Sequence, residues 1–177
     1  NAYEVHSNGQ IFHNQAYDSA TGFALVNGSA LIHDNTAWTN TTGFWANSGT
    51  IASNRAYGNS TGIVLTQSWV TVTGNRVYDN ITGIWADPYA GNNFITNNLV
   101  YDNSGRGIQL NGVQRNSNTM TVTNNTVMEL SSNAIEILSN SQNVVLRNNI
   151  LWSGGAGRYT LVVADAAQQG FSSDYND

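Results

Sequence analysis

Short runs in which apolar and polar residues alternate recur along the whole chain, separated by clusters of asparagine, glycine, serine and threonine. Gly62 to Leu65 and Thr71 to Thr73 are two such runs, and each repeating unit of the sequence contains three of them. Alternation with a period of two residues, bounded by turn-forming residues, predicts short β-strands. The units leave no room for helices, so the pattern predicts an all-β chain.

An asparagine marks the same position in each copy of the unit. An aliphatic residue stands three positions before each of these asparagines, and in four copies a glycine opens an apolar run eight positions after it. The segment from Phe171 to Asp174 repeats this step with an acid in place of the asparagine, which predicts an eighth copy anchored at Asp174. The seven anchors, at successive spacings of 21, 19, 21, 23, 27 and 24 residues, are Asn14, Asn35, Asn54, Asn75, Asn98, Asn125 and Asn149.

The repeat length determines the expected architecture. A unit of about 22 residues with three strands cannot bury its inner face alone, so it must stack on its neighbours at about 4.8 Å per coil. This predicts a single domain over residues 1–177, a parallel β-helix solenoid of about 7–8 coils. Variable coil lengths favour the right-handed form. The anchors are expected to form an asparagine ladder at one corner, since asparagine tolerates left-handed backbone and identical amides can hydrogen-bond between coils.

The segment from Asn97 to Leu110 reads Asn-Asn-x-Val-Tyr-x-Asn, followed by Gly-Ile-x-Leu, and it resembles the repeat of right-handed parallel β-helix proteins of the pectate-lyase-like superfamily. The tail from Gly170 to Asn176 is similar to a segment of large secreted bacterial members. The resemblance implies a secreted or cell-surface protein and a raised expectation of carbohydrate as ligand. Both ends of the chain fall in the middle of a coil, which predicts a segment of a longer solenoid, continued by further coils or by end-to-end stacking.

Composition narrows the class of partner. Charged residues make up 10% of the chain, and the formal net charge is −5 at pH 7. A chain with 6 basic residues against 11 acidic ones lacks the clustered positive charge that nucleic-acid binding requires. No apolar run approaches the length of a membrane span. The chain has no cysteine, which excludes disulfides and thiolate metal ligands.

Aromatic residues recur three positions after the anchors, where alternation predicts that side chains point outward. Exposed flat rings at intervals of one coil suit the apolar faces of sugar rings, which makes these residues candidate polysaccharide ligands. The alternative is that the rings stack on one another and strengthen the solenoid by about 0.5–1.5 kcal/mol per pair. The candidates are Tyr17, Trp38, Tyr57, Tyr78 and Tyr101, together with Trp45 and Trp85 on the strand that follows the glycine.

Acidic residues occupy the next position in three consecutive coils, namely Asp79, Asp102 and Glu129. If they formed a row, neighbours would lie roughly 5 Å apart, and a cation such as Ca²⁺ would relieve their repulsion. The alternatives are a solvated acidic edge and a catalytic carboxylate group with Arg106 close by. The sequence contains no lysine, and its three histidines lie in the first coils, away from these acids.

The interpretation that these patterns favour is an extracellular β-helix scaffold module, noncatalytic in this segment, with polysaccharide bound along an aromatic face. The first alternative is a carbohydrate-active enzyme, a polysaccharide lyase or epimerase, with Asp79, Asp102, Glu129 and Arg106 as its site. The second alternative is a purely structural stalk or adhesin segment.

Overall fold

The computed structural model describes residues 1–87, 91–111, 118–138 and 141–177. In these ranges the chain forms short strands that wind through three long sheets, with one 3-10 helix over Asp165–Ala167. Each strand pairs in parallel with the strands one coil before and one coil after it, as in the register of Val64 with Trp45 and Trp85. The predicted parallel β-helix is therefore confirmed.

The strands are numbered in chain order and distributed over sheets A, B and C. Sheet A contains β1 (Tyr3–His6), β4 (Thr21–Asn27), β7 (Thr42–Ala46), β10 (Thr61–Leu65), β13 (Thr82–Ala86), β16 (Arg106–Leu110), β19 (Asn133–Ile137) and β22 (Leu161–Val163). Sheet B contains β2 (Gln10–Phe12), β5 (Leu31–His33), β8 (Gly49–Ala52), β11 (Val70–Thr73), β14 (Asn93–Thr96), β17 (Met120–Thr123), β20 (Val144–Arg147) and β23 (Ser172–Asp174). Sheet C contains β3 (Gln15–Tyr17), β6 (Thr36–Trp38), β9 (Arg55–Tyr57), β12 (Arg76–Tyr78), β15 (Leu99–Tyr101), β18 (Thr126–Glu129) and β21 (Ile150–Ser153).

The core is a column of apolar side chains enclosed by the three sheets. Because side chains alternate along each strand, every strand sends one or two residues inward, and these lie directly above their counterparts in the next coil. Fully buried examples are Phe23, Phe44, Ile63, Ile84 and Ile108 from sheet A, Ile32, Ile51, Val72 and Ile95 from sheet B, and Ala37, Val77, Val100 and Val127 from sheet C.

The anchor asparagines form the predicted ladder at the corner between sheets B and C. In its middle, the Asn75 carboxamide oxygen accepts hydrogen bonds from the Asn54 backbone N–H (2.9 Å) and the Asn54 amide (3.2 Å). The Asn75 amide in turn donates to the backbone carbonyl oxygen of Ile51 at 3.0 Å and to Asn98 Oδ1 at 3.0 Å. Each ladder amide therefore ties its own coil to both neighbouring coils.

Two details of the predicted corner were wrong. The eighth anchor is Asn176, whose Oδ1 accepts from the Asn149 N–H at 3.0 Å, whereas Asp174 lies in β23 in register with Arg147. The anchors themselves do not adopt left-handed backbone. That conformation belongs to the residue before each anchor, as at Asn97, where φ is 56°. The turn is made one position earlier, and the anchor is left free to point inward.

A second amide ladder lies at the corner between sheets C and A, five positions after the first. Asn40, Asn59, Asn80 and Asn103 are buried there, and each donates from its amide to the next member. This ladder explains why a glycine recurs at the second position of sheet A strands such as β10 (Thr61–Leu65). A Cβ on Gly62 would lie 2.6 Å from the carbonyl oxygen of Gly83 and 3.1 Å from the amide nitrogen of Asn80. Only glycine fits such a close approach.

Candidate functional site

The aromatic residues of sheet C form one stack rather than a row of free platforms. Ring centroids of successive members are 4.8, 6.0, 5.3 and 4.9 Å apart, with interplanar angles of 20° or less. The members, in order, are Tyr17, Trp38, Tyr57, Tyr78 and Tyr101. The faces of the interior rings are occupied by their neighbours, so a sugar ring cannot lie flat on them. This geometry favours the structural alternative for this column.

Two arginines add to the stack. Arg55 donates from Nε to the Tyr78 hydroxyl at 2.5 Å, and Arg76 donates in the same way to Tyr101 at 2.7 Å. Each guanidinium also lies 4.8 to 5.3 Å from the centroids of two tyrosine rings, within cation–π range. The hydrogen bond from Arg55 to Tyr78 raises the pKa of Arg55 above its ordinary value. The arginines therefore cover the column and link adjacent coils.

Trp45 and Trp85 lie elsewhere, on the outer face of sheet A. They are in register on either side of Val64, so the three side chains form a strip across three consecutive coils. Both indoles are partly exposed, and Val64, which lies between them, is 4% exposed. The Trp85 Nε1 donor is buried and has no hydrogen-bond partner among the described residues. A buried indole N–H usually has an acceptor, so Trp85 Nε1 is an exception among the described residues.

The same face continues into a polar cluster in the next two coils. Gln109 follows Trp85 in register, and Glu136 follows Gln109. The Glu136 carboxylate accepts from Arg106 Nε at 2.6 Å, from Asn133 Nδ2 at 2.7 Å and from Gln109 Nε2 at 3.3 Å. This cluster was not predicted from the sequence, because Gln109 and Glu136 stand eleven residues after their anchors, whereas Trp45 and Trp85 stand ten residues after theirs. The inserted residue and the mixed residue types conceal the shared position.

The three acids do not form one row. Asp79 and Asp102 are exposed at the turn between sheets C and A, where both adopt left-handed backbone with φ of 53° and 54°. Glu129 instead extends β18 by one residue, points inward and is fully buried. Its carboxylate accepts from the Asn103 N–H at 2.6 Å and from Asn103 Nδ2 at 2.9 Å, which ends the second ladder. The prediction of an exposed row was wrong for Glu129.

The four candidate catalytic residues are likewise not brought together. A shallow groove beside Asp79 and Asp102 is lined by residues of three coils, but Arg106 is not among them and bonds Glu136 on the outer face of sheet A instead. Asn80 and Asn103, which could have completed a cation site, are buried in the second ladder. The groove therefore contains two neighbouring carboxylates, Asp79 and Asp102, at a turn that is exposed to solvent.

Burial changes the titration of Glu129. Desolvation raises the pKa of this carboxyl to about 7, in opposition to the hydrogen bonds from Asn103, which favour the charged form. The nearby charge of Asp102 adds to the increase. Glu129 is therefore a buried group that titrates near neutral pH, at a structural position rather than in an open site.

These geometries can be set beside known proteins. The chain is a right-handed parallel β-helix protein: it belongs to the family described as right handed beta helix region, whose model matches residues 68–167. The model of the family described as periplasmic copper-binding protein (NosD) also matches, over residues 2–117, so the chain belongs to that family too. A comparison with curated protein sequences gives no significant match.

Among the solved structures to which the chain is similar are two epimerases. The periplasmic alginate epimerase AlgG, as its D317A mutant, matches with a TM-score of 0.76 and 16% identity over 96% of this chain and 50% of that one. The A-module of the mannuronan C-5 epimerase AlgE6 of Azotobacter vinelandii matches with a TM-score of 0.70 and 17% identity, covering 99% of this chain and 55% of that one. The chain thus spans about half the length of these structures, and the likeness shows the fold.

The NosD family name raises the question of copper. Copper prefers imidazole, thiolate and thioether ligands. His6 bonds Glu4 at 2.6 Å and His33 bonds Asp34 at 2.7 Å, while Met120 is buried in the core. Within the described ranges, no three side chains of histidine, cysteine, aspartate or glutamate converge on a point that could hold a metal ion. The described residues therefore present no cluster of histidine and carboxylate ligands for copper or for the predicted Ca²⁺.

In the part of the chain that the structure describes, no helix has the length and apolarity needed to cross a bilayer.

Proposed function

We propose that the chain is a scaffold module of an extracytoplasmic protein and binds polysaccharide along the outer face of sheet A. The periplasmic family description and the periplasmic AlgG relative agree with the secreted or cell-surface location that the sequence predicts. The observation that carries the proposal is the strip formed by Trp45, Val64 and Trp85, in which both indoles are partly exposed.

The chemistry of this face suits a linear glycan. Two indoles two coils apart lie about 10 Å from each other along the solenoid axis, which is the direction in which a linear polymer would extend. Thr42 and Thr61, which are in register with each other at the start of the same strands, are partly exposed and supply hydroxyls. Sugars present apolar C–H faces and hydroxyl edges, and this strip offers rings and hydroxyls side by side. The alginate epimerase relatives make uronate polymers the first probes to test.

A double substitution tests the proposal. The double variant Trp45→Val with Trp85→Val places valine at this position in all three coils, and we expect it to weaken polymer binding by about fivefold or more. Two lost ring contacts of about 0.5–1.5 kcal/mol each correspond to a change of that size. Binding is measured by affinity electrophoresis against alginate, polygalacturonate, xylan and cellulose derivatives, with Trp152→Val on sheet C as control. Retained binding in the double variant, or no retardation by any polymer, would refute the proposal.

One observation favours a second candidate, a purely structural stalk. The self-stacked column from Tyr17 to Tyr101, covered by Arg55 and Arg76, stiffens the solenoid and leaves no free face on its interior rings. The same panel separates the two candidates, since a stalk binds none of the polymers. The enzyme alternative is tested on the polymers themselves, because a lyase produces an absorbing unsaturated sugar and an epimerase changes the uronate composition.

A further inference from the structure

Trp69 stands at the corner between sheets A and B, and its surroundings point to a ligand. Its side chain is 69% exposed, more than those of Trp38, Trp45, Trp85 and Trp152. A large apolar ring that is so exposed costs solvation, and it lies outside the aromatic column and the sheet A strip. Neither of those two aromatic surfaces therefore explains why Trp69 is exposed.

The backbone of Trp69 gives a second reason. Its φ is 69°, in the left-handed region, where a bulky side chain is a true outlier. Asn92 and Asn143 precede the equivalent strand residues in two later coils and have φ of 52° and 54°, and asparagine is suited to that conformation. Hydrogen bonds to Gly91 and from Gly49 hold the Trp69 backbone in this geometry. A strained residue where an unstrained type serves elsewhere is characteristic of functional sites.

The third observation is the chemistry of the adjoining groove. Trp69 shares it with residues of three successive coils, all of them uncharged amides or hydroxyls: Asn27, Asn47, Ser48, Gln67 and Ser68. The Asn47 amide donates to Asn27 Oδ1 at 3.4 Å, and the Ser48 hydroxyl donates to Asn47 Oδ1 at 3.3 Å, so the polar groups form a connected wall. The Asn93 side-chain amide donates to the backbone carbonyl oxygen of Gln67 at 2.8 Å, and this bond anchors the loop that carries Trp69.

We infer that this corner is a binding subsite for a neutral sugar residue, with Trp69 as its stacking platform. The indole face takes the apolar C–H face of a pyranose ring, and the amides of Asn47 and Gln67 bond its hydroxyls. Uncharged walls select against a uronate carboxylate, which would lose its hydration without gaining a cation. The inference uses none of the residues of the sheet A strip and is independent of the function proposed above.

The test is Trp69→Asn, which installs the residue that the later coils use in this backbone conformation. We expect the variant to fold and to melt at a higher temperature than the wild-type chain, since the backbone strain is relieved. We expect its affinity for a neutral hexasaccharide, cellohexaose or mannohexaose, to fall at least tenfold by isothermal titration calorimetry. Gain of stability with loss of binding is a combination that a merely structural tryptophan would not produce.

Further arms make each outcome decisive. Gln67→Met keeps side-chain length but removes the amide, and is expected to weaken binding severalfold, whereas Trp152→Asn on sheet C is expected to leave it unchanged. Hexamannuronate serves as the charged probe. Unchanged affinity in Trp69→Asn, no binding of either neutral hexasaccharide, or binding of hexamannuronate alone would overturn the inference. Loss of binding in the Trp45 and Trp85 double variant but not in Trp69→Asn would support the sheet A strip and reject the corner.

Discussion

Glu129→Gln is expected to stabilise the folded chain by about 3 kcal/mol at pH 8 and to leave its stability nearly unchanged at pH 4. The carboxyl is buried, with a pKa raised from 4.5 to about 7. Between pH 4.5 and about pH 7 the Glu129 carboxyl is charged in the unfolded chain and protonated in the folded chain, so folding requires the uptake of a proton. The stabilisation associated with the protonated form is fully present below about pH 4.5, declines as the pH rises towards 7 and is lost above it.

Glutamine removes the charge and keeps the shape. The two Asn103 donors reach different oxygens of Glu129, so the single side-chain oxygen of glutamine must accept both of them, as Asn103 Oδ1 accepts both donors of Asn80 in the coil before. In that arrangement the second ladder is continued. The free energy of unfolding, measured by urea denaturation at pH 4, 5, 6, 7 and 8, should fall with pH in the wild-type chain and lose this component in the variant. Asp174→Asn, at an exposed carboxylate, serves as control. A wild-type stability that stays constant from pH 5 to pH 8, or a variant less stable than wild type at pH 8, contradicts the assignment.

Glu129 also shows where a sequence column can mislead. Counting from the anchor places it with Asp79 and Asp102, but those two point outward only because the chain turns at each of them with positive φ. In the coil of Glu129 the strand continues for one more residue, and alternation then directs the side chain inward, as the burial of Val127 and Glu129 around exposed Met128 shows. Residues at the same distance from the anchor point in the same direction only where their coils also turn at the same position.

The fold was predictable because its main constraint is periodic. The regular spacing of identical asparagines such as Asn54, Asn75 and Asn98 is enough to predict that they stack, and the alternating runs predict the strands. The second ladder was equally visible, since Asn59, Asn80 and Asn103 each stand five residues after an anchor. It was not predicted, because the columns of candidate residues considered after each anchor were those three and four positions along.

The candidate sites were harder to predict, since they depend on what covers each side chain. Spacing places Tyr57 and Tyr78 in one column, but only the rings' mutual stacking at 5.3 Å shows that their faces are unavailable. Trp69 breaks the repeat instead of following it. Its left-handed conformation gives no compositional signal, because asparagine or glycine would be the expected residue at such a turn.

Asn75→Ala is expected to destabilise the chain by at least about 4 kcal/mol, because it leaves several buried groups without partners at about 1–3 kcal/mol each. The Asn54 N–H and the Asn54 amide lose their shared acceptor, and the Ile51 carbonyl oxygen loses a donor. All of these lie in a corner from which water is excluded, since Asn75 is 1% exposed. A loss of this size is comparable to the whole stability of many domains.

The effect should spread along the solenoid. Each ladder amide bonds coils on both sides, and stability in such repeats is a sum of nearest-neighbour terms, so the break isolates two shorter stacks. Hydrogen exchange should therefore rise first in the strands that flank Asn75, while urea denaturation followed by circular dichroism gives the overall loss. Asn8→Ala, at an exposed asparagine, is the matched control and should change stability by no more than about 0.5 kcal/mol. If the two variants unfold alike, the ladder does not hold the coils together, and the hydrophobic column alone must do so.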